Sequence, residues 1–264
     1  GQWSPLKTKI ALWYHENGVI KKFLEEVATG TPSRFLPEAV TSLAWSPDGR
    51  QIAYLLPQNG KANLVIADQN NRSAQTVFST PVPDFTLQWI PKTVLLLVSR
   101  PSGVAPSIVM RFDTTTRQAS LILSDRHGVV VSASPDGNTF VFSQSSKNGA
   151  AQPLLLYALK TGATKLINYT TIADKCTFSP DSKRIYCGVP KTAIRGIAPD
   201  EWYKGALSFS DAVVEIDIAL NQTRTLLTDE ADVDVVSPFV SPDGKYLFFQ
   251  NKKTGSLWRV TLGQ

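Results

Sequence analysis

Two histidines, His15 and His127, and two cysteines, Cys176 and Cys187, are all the imidazole and thiol that this 264-residue chain offers to chemistry. Nucleophilic catalysis on an α/β scaffold needs a Gly-x-Ser-x-Gly elbow followed by an acid and a histidine, and no such elbow occurs. Zinc sites draw on Cys and His at short characteristic spacings, which two of each on distant segments do not supply. There is no Gly-x-Gly-x-x-Gly or phosphate-loop pattern either. The acidic run Asp229-Glu-Ala-Asp-Val-Asp234 carries oxygen ligands of the kind hard cations take, but it lacks the spacing of a calcium loop and reads as a solvated turn. His127-Gly128 reads as part of a loop, and His15 as the residue that ends a strand at 9–14. The expectation is no catalytic residue, no metal site and no cofactor.

The cysteines are informative through their placement. They flank Ser179-Pro-Asp-Ser182, and a hairpin folded about Asp181 and Ser182 sets position 176 opposite 187, to within one step of register. Opposed strand residues lie about 4.5–5.5 Å apart at Cα, a separation that a disulfide spans. Two readings stand: a pair of small buried thiols, or a disulfide, which implies an oxidising compartment.

A second chemical grouping lies in the segment 189–210, where Trp202, Tyr203 and Phe209 stand with Arg195 and Lys204. Aromatic and arginine side chains are enriched at interface hot spots. The competing reading is a plug that packs its aromatics inward.

What positions these residues is a repeat. Leu43-Ala-Trp-Ser-Pro-Asp-Gly-Arg-Gln-Ile-Ala-Tyr-Leu55 recurs as Val131-Ser-Ala-Ser-Pro-Asp-Gly-Asn-Thr-Phe-Val-Phe-Ser143, and again around Pro180 and Pro242. Degenerate copies surround Pro5 and Pro91, and successive marker prolines are separated by 42, 44, 44, 45 and 62 residues. A period near 44 with short apolar strands matches the four-stranded blade of a β-propeller. In the second unit the strands read as 41–46, 51–56, 63–68 and 75–79, punctuated by turn residues. Proline presets φ for a type I turn, aspartate accepts backbone hydrogen bonds and glycine takes the positive φ that follows. On that reasoning Pro47, Asp48, Gly49, Pro135, Asp136, Gly137, Pro180, Asp181, Pro242, Asp243 and Gly244 are structural turn residues.

The apolar residue before Ser-Pro-Asp-Gly, the polar pair after it and the strand that follows resemble the TolB-type propeller repeat. They are also similar to the non-catalytic propellers that precede the hydrolase domain in prolyl oligopeptidase-like enzymes. Asp200-Glu-Trp-Tyr-Lys-Gly205, Ser208-Phe-Ser-Asp211 and Asn251-Lys-Lys-Thr-Gly-Ser-Leu-Trp258 more narrowly resemble envelope propellers of small-genome bacteria. That resemblance implies an upstream membrane anchor and further propeller sequence.

The expected architecture is all-β: one propeller domain over 1–264, with units near 1–37, 38–80, 81–124, 125–169, 170–231 and 232–264. Strands at 235–241, 245–250 and 256–262 leave the last unit without its outer strand. An upstream strand completing six blades, or an upstream blade completing seven, would cover the open edge. The 62-residue interval holds about 18 extra residues between strands at 183–188 and 212–218 of unit five, and loops on a rigid scaffold are the usual carriers of recognition.

Only 19% of residues are charged, against roughly 25% in ordinary globular proteins, and the formal net charge is +5. The basic pairs Lys21-Lys22 and Lys252-Lys253 are too sparse for a nucleic-acid-binding patch. No apolar run is long enough to span a bilayer. The leading expectation is a non-catalytic protein-protein or ligand interaction scaffold of the bacterial envelope or cell surface, extracytoplasmic, with another envelope or surface protein as its partner. The alternatives are a propeller hydrolase with a metal at the central channel and the gating propeller of a peptidase.

Overall fold

The computed structural model describes residues 1–91, 93–227 and 231–263, with the backbone alone for 31–33. Its strands form consecutive antiparallel meanders. The first sheet is β1 (Gln2–Trp3), β2 (Lys9–Glu16), β3 (Val19–Glu26) and β4 (Thr31–Phe35), and the second is β5 (Ser42–Trp45), β6 (Gln51–Gln58), β7 (Lys61–Asp68) and β8 (Gln75–Thr80). The third comprises β9 (Phe85–Ile90), β10 (Val94–Ser99), β11 (Pro106–Asp113) and the start of β12 (Ala119–Ala133). The rest of β12 opens the fourth sheet, with β13 (Thr139–Ser145), β14 (Leu155–Ala158) and β15 (Thr164–Leu166). The fifth is β16 (Cys176–Phe178), β17 (Arg184–Pro190), β18 (Asp211–Asp217) and β19 (Thr223–Leu227). Among the described residues the sixth has three strands, β20 (Val235–Val240), β21 (Tyr246–Asn251) and β22 (Leu257–Thr261).

The expected strands of the second and sixth units agree with these to within two residues at nearly every end. One local reading changes. His127 is not in a loop: β12 runs through it, pairing His127 with Ser145 across a register shift between His127 and Val130. The apolar stretch around 119–123 already belongs to the strand, so the joint between units three and four carries no break. His15 lies inside β2, opposite Ile20.

Packing divides the chain, read above as one domain, into two compact units, Gly1–Arg100 with Val109–Leu121, and Pro101–Ile108 with Ile122–Gln264. In the first, Ala11 and Leu24 of sheet one pack with Leu43, Trp45, Ile52, Tyr54 and Val65 of sheet two. In the second, Val130, Val141 and Leu156 of sheet four meet Phe178, Ile185, Val214 and Ile216 of sheet five. Alternate strand residues supply each face, as the period of two requires.

Four of the repeat turns share one hydrogen-bond scheme. Ser46 Oγ donates to Asp48 Oδ1 at 2.6 Å, the same oxygen accepts Arg50 N–H at 3.1 Å, and Gly49 N–H returns to Ser46 O at 2.8 Å with φ +70°. The Ser–Asp bond recurs at 2.6 Å in Ser134–Asp136, Ser179–Asp181 and Ser241–Asp243. Gly137 and Gly244 take positive φ at the fourth turn position, and in the fifth unit Ser182 does so at +61°. The serine bond chiefly holds the Asp48, Asp181 and Asp243 carboxyls below their usual range. At Asp136 burial opposes, but the bonds from Ser134 and Asn138 prevail. Each carboxylate is thus engaged in closing its own turn, behind its Pro47, Pro135, Pro180 or Pro242.

Candidate functional site

The extra residues of the fifth sheet join β17 to β18, and they fold into a defined structure rather than an open loop. The segment contains a single helical turn, α1 (Asp200–Tyr203). One end is seated on the fourth-sheet side of its own compact unit. Ala198 N–H donates to Gly149 O at 2.9 Å, and Asp200 Oδ2 accepts Gly103 N–H at 2.6 Å. Gly103 is required for this approach, because a Cβ there would lie 2.5 Å from the carbonyl oxygen of Ala198.

The other end is held by a buried ionic cluster. Lys175 closes a 3-10 turn (Ala173–Lys175) ahead of β16, and its side chain is wholly buried. Its Nζ lies 2.8 Å from Asp211 Oδ2, pairs with Asp234 Oδ1 and donates to Val235 O at 3.1 Å. Both carboxylates are also inaccessible to solvent. Asp234 accepts Trp202 Nε1–H, Ser208 Oγ–H and Phe209 N–H at 3.1–3.2 Å. Removing charges from water is costly unless they are paired and hydrogen-bonded, and Asp234 is supplied accordingly. Burial alone would push its carboxyl up, but the Lys175 charge and these donors hold it below the usual range. At Asp211 burial wins: its carboxyl is pushed up despite Lys175, and its Oδ1 is buried with no partner among the described residues.

Trp202 covers this cluster. The Lys175 ammonium lies 5.0 Å from its ring centroid and the Lys252 ammonium 4.4 Å, while Lys252 Nζ also donates to Trp202 O. Phe209 flanks Lys175 at 5.1 Å. With exposures of 2% and 7%, Trp202 and Phe209 are closed to any partner. Of the two readings of this segment, inward packing holds for Trp202 and Phe209, which cover a buried charge network and are not contact groups. Arg195, Tyr203 and Lys204 remain exposed. Tyr203 donates its hydroxyl to the Asp174 carboxyl, which desolvation by surrounding protein pushes up. Burial by neighbouring protein, followed by the Asp174 charge, pushes the Tyr203 hydroxyl far above its ordinary value.

Sequence reasoning missed Lys175, Asp211, Asp234 and Lys252. Asp234, expected in a solvated acidic turn, is instead the hub of the cluster, while Asp232 pairs at the surface with Lys253. Asp229 and Glu230 lie outside the described residues. The available signal was Lys175 itself, set beside the apolar strand start at Cys176. Among the described residues no group of three or more His, Cys, Asp or Glu is arranged to hold a metal ion. No helix among them is long and apolar enough to cross a membrane.

Beneath the cluster β16 and β17 pair in the register Cys176–Cys187, and the two sulfurs form a disulfide with Cα atoms 4.1 Å apart. Both cysteines belong to the apolar core that also holds Trp202 and Phe209.

The structure is similar to TolB from Acinetobacter baumannii, with a TM-score of 0.59 and 17% identity over 98% of this chain. The alignment covers 64% of that TolB, so the chain spans less than two thirds of its length. It is also similar to the β-propeller domain of the trilobed protease from Pyrococcus furiosus (TM-score 0.63, 17% identity, 97% of this chain and 78% of that one). A third similar structure is hydrazine synthase of Kuenenia stuttgartiensis (0.66, 16%, 98% and 75%). At such identities these likenesses speak to fold alone. No curated protein sequence matches the chain. The family profile of the TolB beta propeller domain matches residues 1–192, nearly three quarters of the sequence, and with the repeated Ser-Pro-Asp turns and four-stranded meanders it follows that this β-propeller chain belongs to the TolB beta propeller domain family.

Proposed function

We propose that the chain is a non-catalytic interaction module that works outside the cytoplasm, in the envelope or at the surface of a bacterium, and binds another protein there. The observation that carries this reading is the anchored β17–β18 connection. Its buried half, Trp202 and Phe209 on the Lys175 cluster, holds Arg195, Tyr203 and Lys204 exposed on a fixed support. Preorganised side chains bind without the ordering cost that a flexible loop incurs. The Cys176–Cys187 disulfide fits an oxidising compartment, as does membership of the TolB family. Attachment to the membrane through a segment outside this chain belongs to the same proposal.

The test compares the wild-type protein with Arg195→Ala/Tyr203→Ala/Lys204→Ala in capture from native envelope extract. A partner held by the wild type and lost by the triple variant, at similar melting temperature, is the expected result. Equal capture by both sinks this surface as the binding site. A second reading, the gating propeller of a peptidase, draws on the likeness to the trilobed protease propeller domain. Peptidase activity that co-purifies with the native protein and is altered by its removal would favour it.

A further inference from the structure

The other compact unit contains a cleft unrelated to the Lys175 cluster. It lies between the second and third sheets, beside the Ser46-Pro47-Asp48 turn, and has a volume of about 730 Å³. That is within the roughly 300–1,000 Å³ of small-molecule sites.

Its walls interleave acceptors and donors around one aromatic ring. Asp48 and Asp68 use Oδ1 to close their own turns, with Arg50 N–H at 3.1 Å on Asp48 and Asn70 and Arg72 N–H at 2.9 and 2.7 Å on Asp68. Their Oδ2 atoms make no hydrogen bond among the described residues. Gln75 and Arg117, both exposed, meet at 3.4 Å across the mouth. Trp89 lines the cleft, and its indole Nε1–H is buried with no acceptor among the described residues. The contrast with Trp45, one repeat earlier, is direct: that indole donates to Gln2 O at 3.3 Å. The third unit carries Ile90-Pro91 where the second has Ser46-Pro47, so the Ser–Asp clasp that closes the turns at Ser46, Ser134, Ser179 and Ser241 is missing from this wall.

We propose that this cleft binds a neutral oligosaccharide. Each sugar hydroxyl both donates and accepts, matching carboxylate oxygens set beside amide and guanidinium donors, and the C–H face of a pyranose matches the electron-rich face of an indole. An anion would face two carboxylates, and a polycation would face Arg117. An apolar ligand would desolvate all three charges without replacing their hydrogen bonds.

The experiment is calorimetric titration of the whole chain with chitotetraose, maltotetraose and mannotetraose, with spermine as the cationic control. At least one saccharide is expected to bind with Kd below about 1 mM. Arg117→Ala and Gln75→Ala, exposed positions whose loss leaves folding intact, are expected to weaken that binding by about 5- to 10-fold, the loss of one polar contact. Trp89→Phe, which keeps a ring, is expected to weaken it less than Trp89→Ala. No saccharide binding at concentrations well above 1 mM, unchanged affinity in the Arg117 and Gln75 variants, or spermine binding in place of the sugars would each overturn the proposal.

Discussion

Trp202 Nε1 points at Asp234, 3.1 Å from one carboxylate oxygen and 3.2 Å from the other, across 32 residues of chain. The inserted connection and the entry to the sixth sheet are therefore joined through a single buried carboxylate that Lys175 neutralises. Stability and the shape of the exposed surface depend on the same few side chains.

Trp202→Ala is expected to cost roughly 3–5 kcal/mol, the usual range for deleting a buried aromatic. Tyr203→Ala removes one hydrogen bond from an exposed ring and is expected to cost about 1 kcal/mol. Urea titrations of the two variants measure both, and equal small losses would mean that the connection detaches without consequence.

The two cluster carboxylates are expected to differ. Asp234→Asn leaves Lys175 with Asp211 as its one carboxylate partner among the described residues and is expected to cost about 3–5 kcal/mol, as for removal of one partner of a buried pair. Asp211→Asn keeps the Lys175–Asp234 pair and removes the less favourably buried charge, so its cost is expected to be clearly smaller. The check is the order of the two denaturation midpoints.

The same pair sets opposite pH dependences. Asp234 has a depressed native pKa, so its contribution is present above the unfolded value near 3.8 and is lost as pH falls through the native value. Asp211 has a raised native pKa, so its contribution is full below the unfolded value and is lost as pH rises through the native one. The stability of wild type relative to Asp211→Asn is therefore expected to decline from about pH 4 upward. Paired melts across that range read the slope, and a rising difference would contradict the assignment.

Reduction of Cys176–Cys187 opens a loop of 11 residues, for which chain entropy gives about 3 kcal/mol. Both cysteines are buried, at 4% and 1%, so reduction is expected to require unfolding. Alkylation of native protein in the presence of reductant should label neither thiol on the timescale that labels both in urea.

The fold was legible because its information is local and repeated. Ser46, Pro47, Asp48 and Gly49 specify a turn through their own side chains, and the same four-residue logic recurs at Ser134, Ser179 and Ser241. The Cys176–Cys187 register followed from that turn alone. The cluster was illegible for the opposite reason. Lys175 and Asp234 meet across 59 residues, and each taken singly looks like a surface charge. Trp202 and Phe209 have the composition of a contact surface, and only Asp234 and Lys175 beneath them decide that they face inward. The 127–128 joint failed as a loop because Gly128 takes its φ of +62° within a bulged strand.

The placement of Trp202 between two ammonium groups has an optical consequence. Of six tryptophans in the chain, Trp3 is half exposed, whereas Trp202 is shielded from water and lies in a strong local field from Lys175 and Lys252. Its emission should be shifted relative to a solvated indole and protected from collisional quenchers such as iodide. The difference spectrum between wild type and Trp202→Phe then isolates one fluorophore, whose quenching rises whenever the β17–β18 connection lifts from its seat. The chain thus carries its own probe of whether the surface bearing Arg195, Tyr203 and Lys204 is held or released.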